Sequence, residues 1–283
     1  PTVAVVIPTR DRPDLLRACL DGLANRTDYP VDEIIVVDNG STDPAAVDLL
    51  VSLEGPQDDA LRVVRQPEPF NFAALCNAGA AEADADLVLF LNDDVAPIAP
   101  DWLAALVSAT ALERVVAAGP KLLYPDGRIQ HAGVVLGVGN AAGHAHKGLP
   151  GDAPGYMGLA ALRRQVSALT GACLLVERAA YWEVGGMDAD AFPIGLNDVD
   201  LCLRLGSRGL RCVYVPEAVL LHHESASRGS DLVGEARRRL TVEHDRLRSR
   251  WGELLDDDPF YNPHLSVERE DFSLAWPPRR RPP

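Results

Sequence analysis

The chain of 283 residues has no apolar run of 18 residues, no basic and hydrophobic leader and no polybasic patch. These absences leave neither a membrane-spanning helix nor a secretion signal to be read from it. Positive charge is in deficit: 27 Lys and Arg face 41 Asp and Glu, for a net charge of −14. Nucleic acid is thereby excluded as the main partner, because phosphate-backbone binding rests on clustered Lys and Arg. A small anionic substrate stays open, since a bound metal reverses the local sign. The five cysteines (Cys19, Cys76, Cys173, Cys202 and Cys212) form no CxxC pair, and each lies in an apolar or helical context. That pattern predicts buried free thiols in a reducing compartment rather than disulfides or a zinc site. A cytoplasmic chain is expected, with the inner face of the membrane as the outer limit of its range. No internal repeat is visible, and the sequence opens at Pro1 without a methionine, so it is read as a domain of a longer polypeptide.

What is present is an alternation of apolar runs and amphipathic segments. Apolar strands are predicted at Val3–Ile7, Glu33–Val37, Leu61–Arg65 and Leu87–Leu91. Helices are expected between them at Pro13–Leu23, Asp43–Leu53 and Asn71–Ala83. This order implies an α/β fold with a mostly parallel sheet and right-handed crossovers. Beyond it a helix is expected at Trp102–Leu112, and strands at Val115–Leu123, Ile129–Leu136, Ala168–Val176 and Arg211–Leu221. Short helices are read at Glu177–Val184 and Asn197–Ser207. Gly137–Gly158 reads as a loop, and Leu232–Leu255 as a helix with an apolar stripe. Residues 277–283 read as a tail.

Chemistry concentrates at strand ends. LVLFLNDDV (87–95) is a buried-type strand that stops at Asn92, Asp93 and Asp94. In open α/β sheets ligands bind beyond the carboxyl ends of the strands. Adjacent carboxylates there repel unless a cation or a hydrogen-bonding ligand lies between them, and hard divalent ions shared with substrate phosphates meet that need. A solvated, Asp-rich loop is the alternative. Asp38-Asn39 and His222-His223 end two further strands, and Asn197-Asp198-Val199-Asp200 opens a helix. A parallel first half would bring Thr9, Asp38 and Asp93 to one edge. Asp198 taken alone is equally an acid at a helix N-terminus, and the two histidines are either metal ligands or capping residues.

The motifs VVIPTRDRPDLLRACLDGL, IIVVDNGSTD, PFNFAALCNAGA, LFLNDDV, TGACLLVERAAYWEVGGMD, NDVDLCLRL and HHESASRG follow one another in this order. Together they resemble the family 2 glycosyltransferases, in particular bacterial members that build O-antigen and other surface polysaccharides. The resemblance implies a GT-A fold: a Rossmann-like nucleotide-binding half (1–95), a mixed donor and acceptor half (96–230), and a C-terminal helix and extension (231–276), all in one domain over 1–276. It implies inverting transfer of a sugar from a nucleotide-diphosphate donor to a hydroxyl of a glycan or lipid-linked glycan acceptor, with Mn²⁺ or Mg²⁺. By the same resemblance Asp94 and His222 hold the metal, while Thr9, Arg10, Asp38, Asn39, Asp93, Gly171 and Arg228 contact the donor. Asp198 is the general base, and Asn197, Asp200 and His223 support the acceptor side. Ser225, Ser227 and Arg228 would close over the diphosphate. A nucleotidyltransferase would share the strand-end carboxylates but would want a glycine-rich basic loop where Pro8-Thr9-Arg10-Asp11 stands. A catalytically degenerate module that binds nucleotide-sugar or glycan remains the non-enzymatic alternative.

Overall fold

The computed structural model describes residues 1–54, 60–223 and 234–279. The first half is β1 (Val3–Thr9), α1 (Pro13–Asn25), β2 (Glu33–Asp38), α2 (Pro44–Leu53), β3 (Leu61–Arg65), α3 (Phe72–Ala81) and β4 (Leu87–Leu91). Local chemistry starts these helices. Pro13 and Pro44 occupy first turns, where a missing N–H costs nothing. Asp43 and Asn71 cap α2 and α3 by accepting hydrogen bonds from the Ala46 and Ala74 N–H groups.

The second half is β5 (Val95–Pro97), α4 (Trp102–Thr110), β6 (Val115–Leu123), β7 (Ile129–His131), β8 (Val134–Leu136), β9 (Ala142–His144), β10 (Arg164–Val166), β11 (Cys173–Glu177), α5 (Arg178–Glu183), α6 (Asn197–Ser207), β12 (Arg211–His222) and α7 (Gly234–Asp256). The main sheet runs β10-β12-β6-β11-β4-β1-β2-β3, with β5 on β12 and β7 on β6. Strands β4, β1, β2 and β3 are parallel. β11 is inserted antiparallel between β4 and β6, and β12 is again parallel to β6. Expectation and structure therefore agree on a mostly parallel α/β sheet.

Successive residues of β1 face opposite layers. Ala4 and Val6 pack with α3, α5 and α6, whereas Val3, Val5 and Ile7 pack with α1, α2 and α4. Helices on both faces explain why β1 and β4 are apolar throughout rather than alternating. The closest approach is at Gly79 of α3, where a Cβ would lie 2.3 Å from Val6 Cγ1 and 2.9 Å from Val37 Cγ2. Gly79→Ala is accordingly expected to push α3 off the sheet and to cost about 1–3 kcal/mol, read as a lower urea midpoint.

Three expectations need correction. Ile129–Leu136 is two strands rather than one, because Gly133 takes a left-handed φ of 92° that turns β8 out of the main sheet to pair with β9. Ala168–Val176 becomes a strand only from Cys173, since 170–172 forms a turn at the site described below. The segment 137–158 contains β9, so it is not a bare loop.

Candidate active site

The β1–β2 register pairs Thr9 with Asp38, and β4 runs beside β1, so three strand ends meet at one edge. Thr9 Oγ1 donates to Asp93 Oδ2 at 2.8 Å. Burial pushes the Asp93 carboxyl up to about 7, against the opposing effects of the Thr9 hydrogen bond and the Arg12 charge, with the neighbouring Asp94 charge raising it further. Arg12, read with Arg10 as a residue that helps hold the diphosphate or shapes this edge, carries a charge that reaches both Asp93 and Asp94. Arg10 is exposed and pairs with Asp11 at 3.6 Å.

Asp94 is buried and faces the histidine at the end of β12. Asp94 Oδ1 lies 3.2 Å from His222 Nε2, yet this oxygen has no hydrogen-bond partner among the described residues. His222 Nδ1 lies 2.7 Å from Gln130 Oε1. An amide oxygen accepts only, so Nδ1 carries a proton, and in the neutral imidazole Nε2 then presents its lone pair to Asp94. A carboxylate oxygen and an imidazole nitrogen, both acceptors, thus converge in a buried position. This donor pair fits a divalent cation. It numbers two, and among the described residues no group of three or more His, Cys, Asp or Glu is arranged to hold a metal. His223 has an exposed side chain, and its N–H donates to the Asp94 carbonyl at 3.0 Å. Alternation along β12 thereby assigns His222, not His223, to the cleft. Sequence reasoning missed Gln130; a polar residue in a short apolar strand next to a histidine was the available signal. Gln130→Leu is expected to weaken Mn²⁺ binding about 10–100-fold, measured by titration calorimetry, because the imidazole loses its orientation.

Asp198 is the second residue of α6, which starts after Leu196, whose φ of 60° is left-handed. Its Oδ2 accepts from the Gly171 N–H at 2.7 Å, and its Oδ1 accepts from the Val199 N–H at 2.8 Å. A Cβ at Gly171 would lie 3.4 Å from Asp198 Cβ and Phe72 Cε1, so the turn sits at contact distance from both. The next residue, Ala172, accepts from the Asn92 N–H at 2.9 Å. The Gly171-Ala172 turn therefore joins Asp198 directly to the Asn92-Asp93-Asp94 segment.

Other expected residues take different parts. Asp200 is fully buried, with Oδ2 held by Arg204 at 2.7 Å and Oδ1 held by Arg250 at 2.8 Å and Trp251 at 2.9 Å. It ties the start of α6 to α7 through these bonds. Asn197 is also buried, and its Nδ2 donates to the Phe192 and Ile194 carbonyls, so it shapes the preceding loop instead of the acceptor side. Asp38 accepts from Ser41 through Oδ1 and from Arg65 through Oδ2. Asn39 Nδ2 donates to the Gln66 and Glu68 carbonyls. Asn39 also lines a pocket of about 350 Å³ with Gln66, Glu68, Pro69, Phe70 and Asn71. Ser225, Ser227 and Arg228 lie outside the described residues.

The family model described as Glycosyl transferase family 2 matches residues 4–185. The chain belongs to that family. An O-antigen biosynthesis protein of Myxococcus xanthus is 39% identical over 283 residues, 100% of this family 2 chain and 21% of that protein. A protein of Sinorhizobium fredii is 44% identical over 277 residues, 98% of this chain and 30% of its own length. The chain thus spans less than a third of either relative. Among solved structures, GalNAc-T7 with UDP, GalNAc and Mn²⁺ superposes with a TM-score of 0.70 at 17% identity, covering 90% of this chain and 49% of that one. That likeness places the fold with the GT-A glycosyltransferases. The family match includes Thr9, Asp93, Asp94 and Gly171, while Asp198, His222 and α7 lie beyond its end. No helix among the described residues is long and apolar enough to cross a membrane.

Proposed function

We propose that this family 2 chain is the metal-dependent, inverting glycosyltransferase domain, over residues 1–276, of a longer surface-polysaccharide enzyme. It would take a nucleotide-diphosphate sugar and transfer the sugar to a glycan or lipid-linked glycan hydroxyl. The observation that carries this reading is the buried facing pair Asp94 Oδ1 and His222 Nε2, 3.2 Å apart, at the edge to which Asp198 is also tied. The relative involved in O-antigen biosynthesis supports the polysaccharide role, and the Mn²⁺ in the GalNAc-T7 structure supports a divalent ion. Free cysteines throughout the described chain fit action in the cytoplasm, or at the inner face of the membrane.

Asp94 and His222 would hold Mn²⁺ or Mg²⁺, which when bound stabilises negative charge on the departing diphosphate as a Lewis acid. Thr9 and the strand ends at Asp38 and Asn39 would receive the nucleoside, and Arg12 would balance the acidic pair. Gly171 leaves room for the donor sugar beside Asp198. Asp198 would take the proton from the attacking acceptor hydroxyl. A single displacement needs one base and no covalent nucleophile, which is why inversion follows from this assignment. A binding module without turnover is the second reading. It is favoured by the two N–H groups already donating to Asp198, since hydrogen bonds to a carboxylate weaken it as a base.

Thermal unfolding with UDP, dTDP and GDP, each with and without Mn²⁺, tests the proposal. One nucleotide is expected to raise Tm only when the metal is present, and its sugar conjugates are then expected to be transferred or slowly hydrolysed. Absence of any nucleotide-dependent shift with Mn²⁺ refutes the donor site. Metal-dependent binding without turnover of any donor decides for the module.

A further inference from the structure

The hydrogen bond between Asp198 and Gly171 joins two loops that have no other chain continuity, so something must hold each loop in place. Both supports come from α7 and the residues after it. Glu243 is 1% exposed, and its Oε1 accepts from the Ile194 N–H at 3.0 Å and the Gly195 N–H at 3.1 Å. These amides immediately precede Leu196, the left-handed residue from which α6 and Asp198 start. Arg246 donates to the Asp190 and Ala191 carbonyls of the same loop. On the other side, Asp258 is 4% exposed. Its Oδ1 accepts from Ser167 Oγ and the Phe260 N–H, and its Oδ2 accepts from the Leu136 N–H. Ser167 leads directly into Thr170-Gly171-Ala172.

We propose that Glu243 and Asp258 are positioning residues for Asp198: Glu243 fixes the loop that carries the carboxylate, and Asp258 fixes the loop that carries the Gly171 N–H. This rests on the reading of Asp198 as the base. Burying a carboxylate is costly unless its oxygens are hydrogen-bonded, and here the burial is directed at the two backbone segments that meet at this contact. Glu243 and Asp258 lie beyond the span of the family match, in the C-terminal third of the chain. The two acids differ in what they tolerate. Glu243 uses one oxygen for both amides, while Oε2 has no partner among the described residues; Gln can supply the same single acceptor. Asp258 uses both oxygens, so Asn would set an NH₂ group against a donor.

Hydrogen exchange of the Gly171 amide reads the contact without any substrate, with the amides of β1 and β4 as the reference. Glu243→Ala is expected to speed Gly171 exchange about tenfold or more while the β1 and β4 amides keep their protection. Glu243→Gln is expected to restore slow exchange, and Asp258→Asn to behave like Glu243→Ala. Turnover of the donor found by the nucleotide screen should fall about 10²-fold in kcat for Glu243→Ala, with KM for the donor retained. Unchanged Gly171 exchange in Glu243→Ala overturns the proposal. So does equal acceleration in Glu243→Gln, or loss of β1 and β4 protection in step with Gly171, which marks a general loss of stability. Asp198→Asn separates the two levels: if it turns over normally, the base assignment fails whatever the exchange result.

Discussion

Asp198→Asn is expected to lower sugar transfer or donor hydrolysis about 10²–10⁴-fold while the nucleotide-dependent, Mn²⁺-dependent rise in Tm survives. The substitution keeps the shape of the side chain and one acceptor oxygen, which can serve the Gly171 N–H at 2.7 Å while the NH₂ group then faces the Val199 N–H; slow Gly171 exchange in the same variant checks that the turn at 170–172 is kept. What it removes is the capacity to accept the proton of the acceptor hydroxyl. The groups assigned to the nucleotide and metal, at the ends of β1, β2, β4 and β12, do not depend on this carboxylate. Loss should therefore fall on kcat, measured by release of the nucleoside diphosphate. Turnover within a few-fold of wild type would assign the base elsewhere.

Asp94→Ala and His222→Ala should each abolish the metal-dependent part of nucleotide binding, and EDTA should do the same to the wild type. The two proposed ligands converge from β12 and from the turn after β4, and among the described residues no group of three or more His, Cys, Asp or Glu is arranged to hold a metal. At a nucleotide concentration a hundredfold above Kd, binding stabilises the fold by about 2.7 kcal/mol. The corresponding Tm shift should vanish in both variants. His223→Ala is the control: its side chain is exposed, and the shift should persist. A shift that survives in His222→Ala and disappears in His223→Ala would reverse the assignment.

Local pattern was enough for the parallel half of the fold. The bounds of β3, β4, β6 and α6 can be read from their apolar runs and flanking residues; burial on both faces leaves β4 without a polar residue, whereas β3 carries Arg62 and β6 carries Lys121. Three-residue strands were not legible. β5 and β10 exist only because β12 offers them a pairing edge, and nothing within Val-Ala-Pro or Arg-Gln-Val announces a strand. The antiparallel insertion of β11 is equally a matter of long-range pairing. At the site, the positions of Asp94, His222, Asp198 and Gly171 followed from strand ends and family likeness. The part taken by Asp200 did not, because Arg250 and Trp251 stand 50 and 51 residues away. Glu243 was invisible for the same reason: on its own helix it is one acid among many charged residues.

The five cysteines are all buried and free, and they are divided between the two faces of the sheet. Cys19 and Cys173 belong to one layer, whereas Cys76, Cys202 and Cys212 belong to the other. Burial pushes the Cys19, Cys76 and Cys173 thiols up, and the contact with Cys212 together with burial does so for Cys202. Such groups are inert toward alkylating reagents until water reaches them. The native sequence thus carries its own chemical clock: the order in which iodoacetamide marks these sulfurs, mapped by mass spectrometry, would record which layer breathes first.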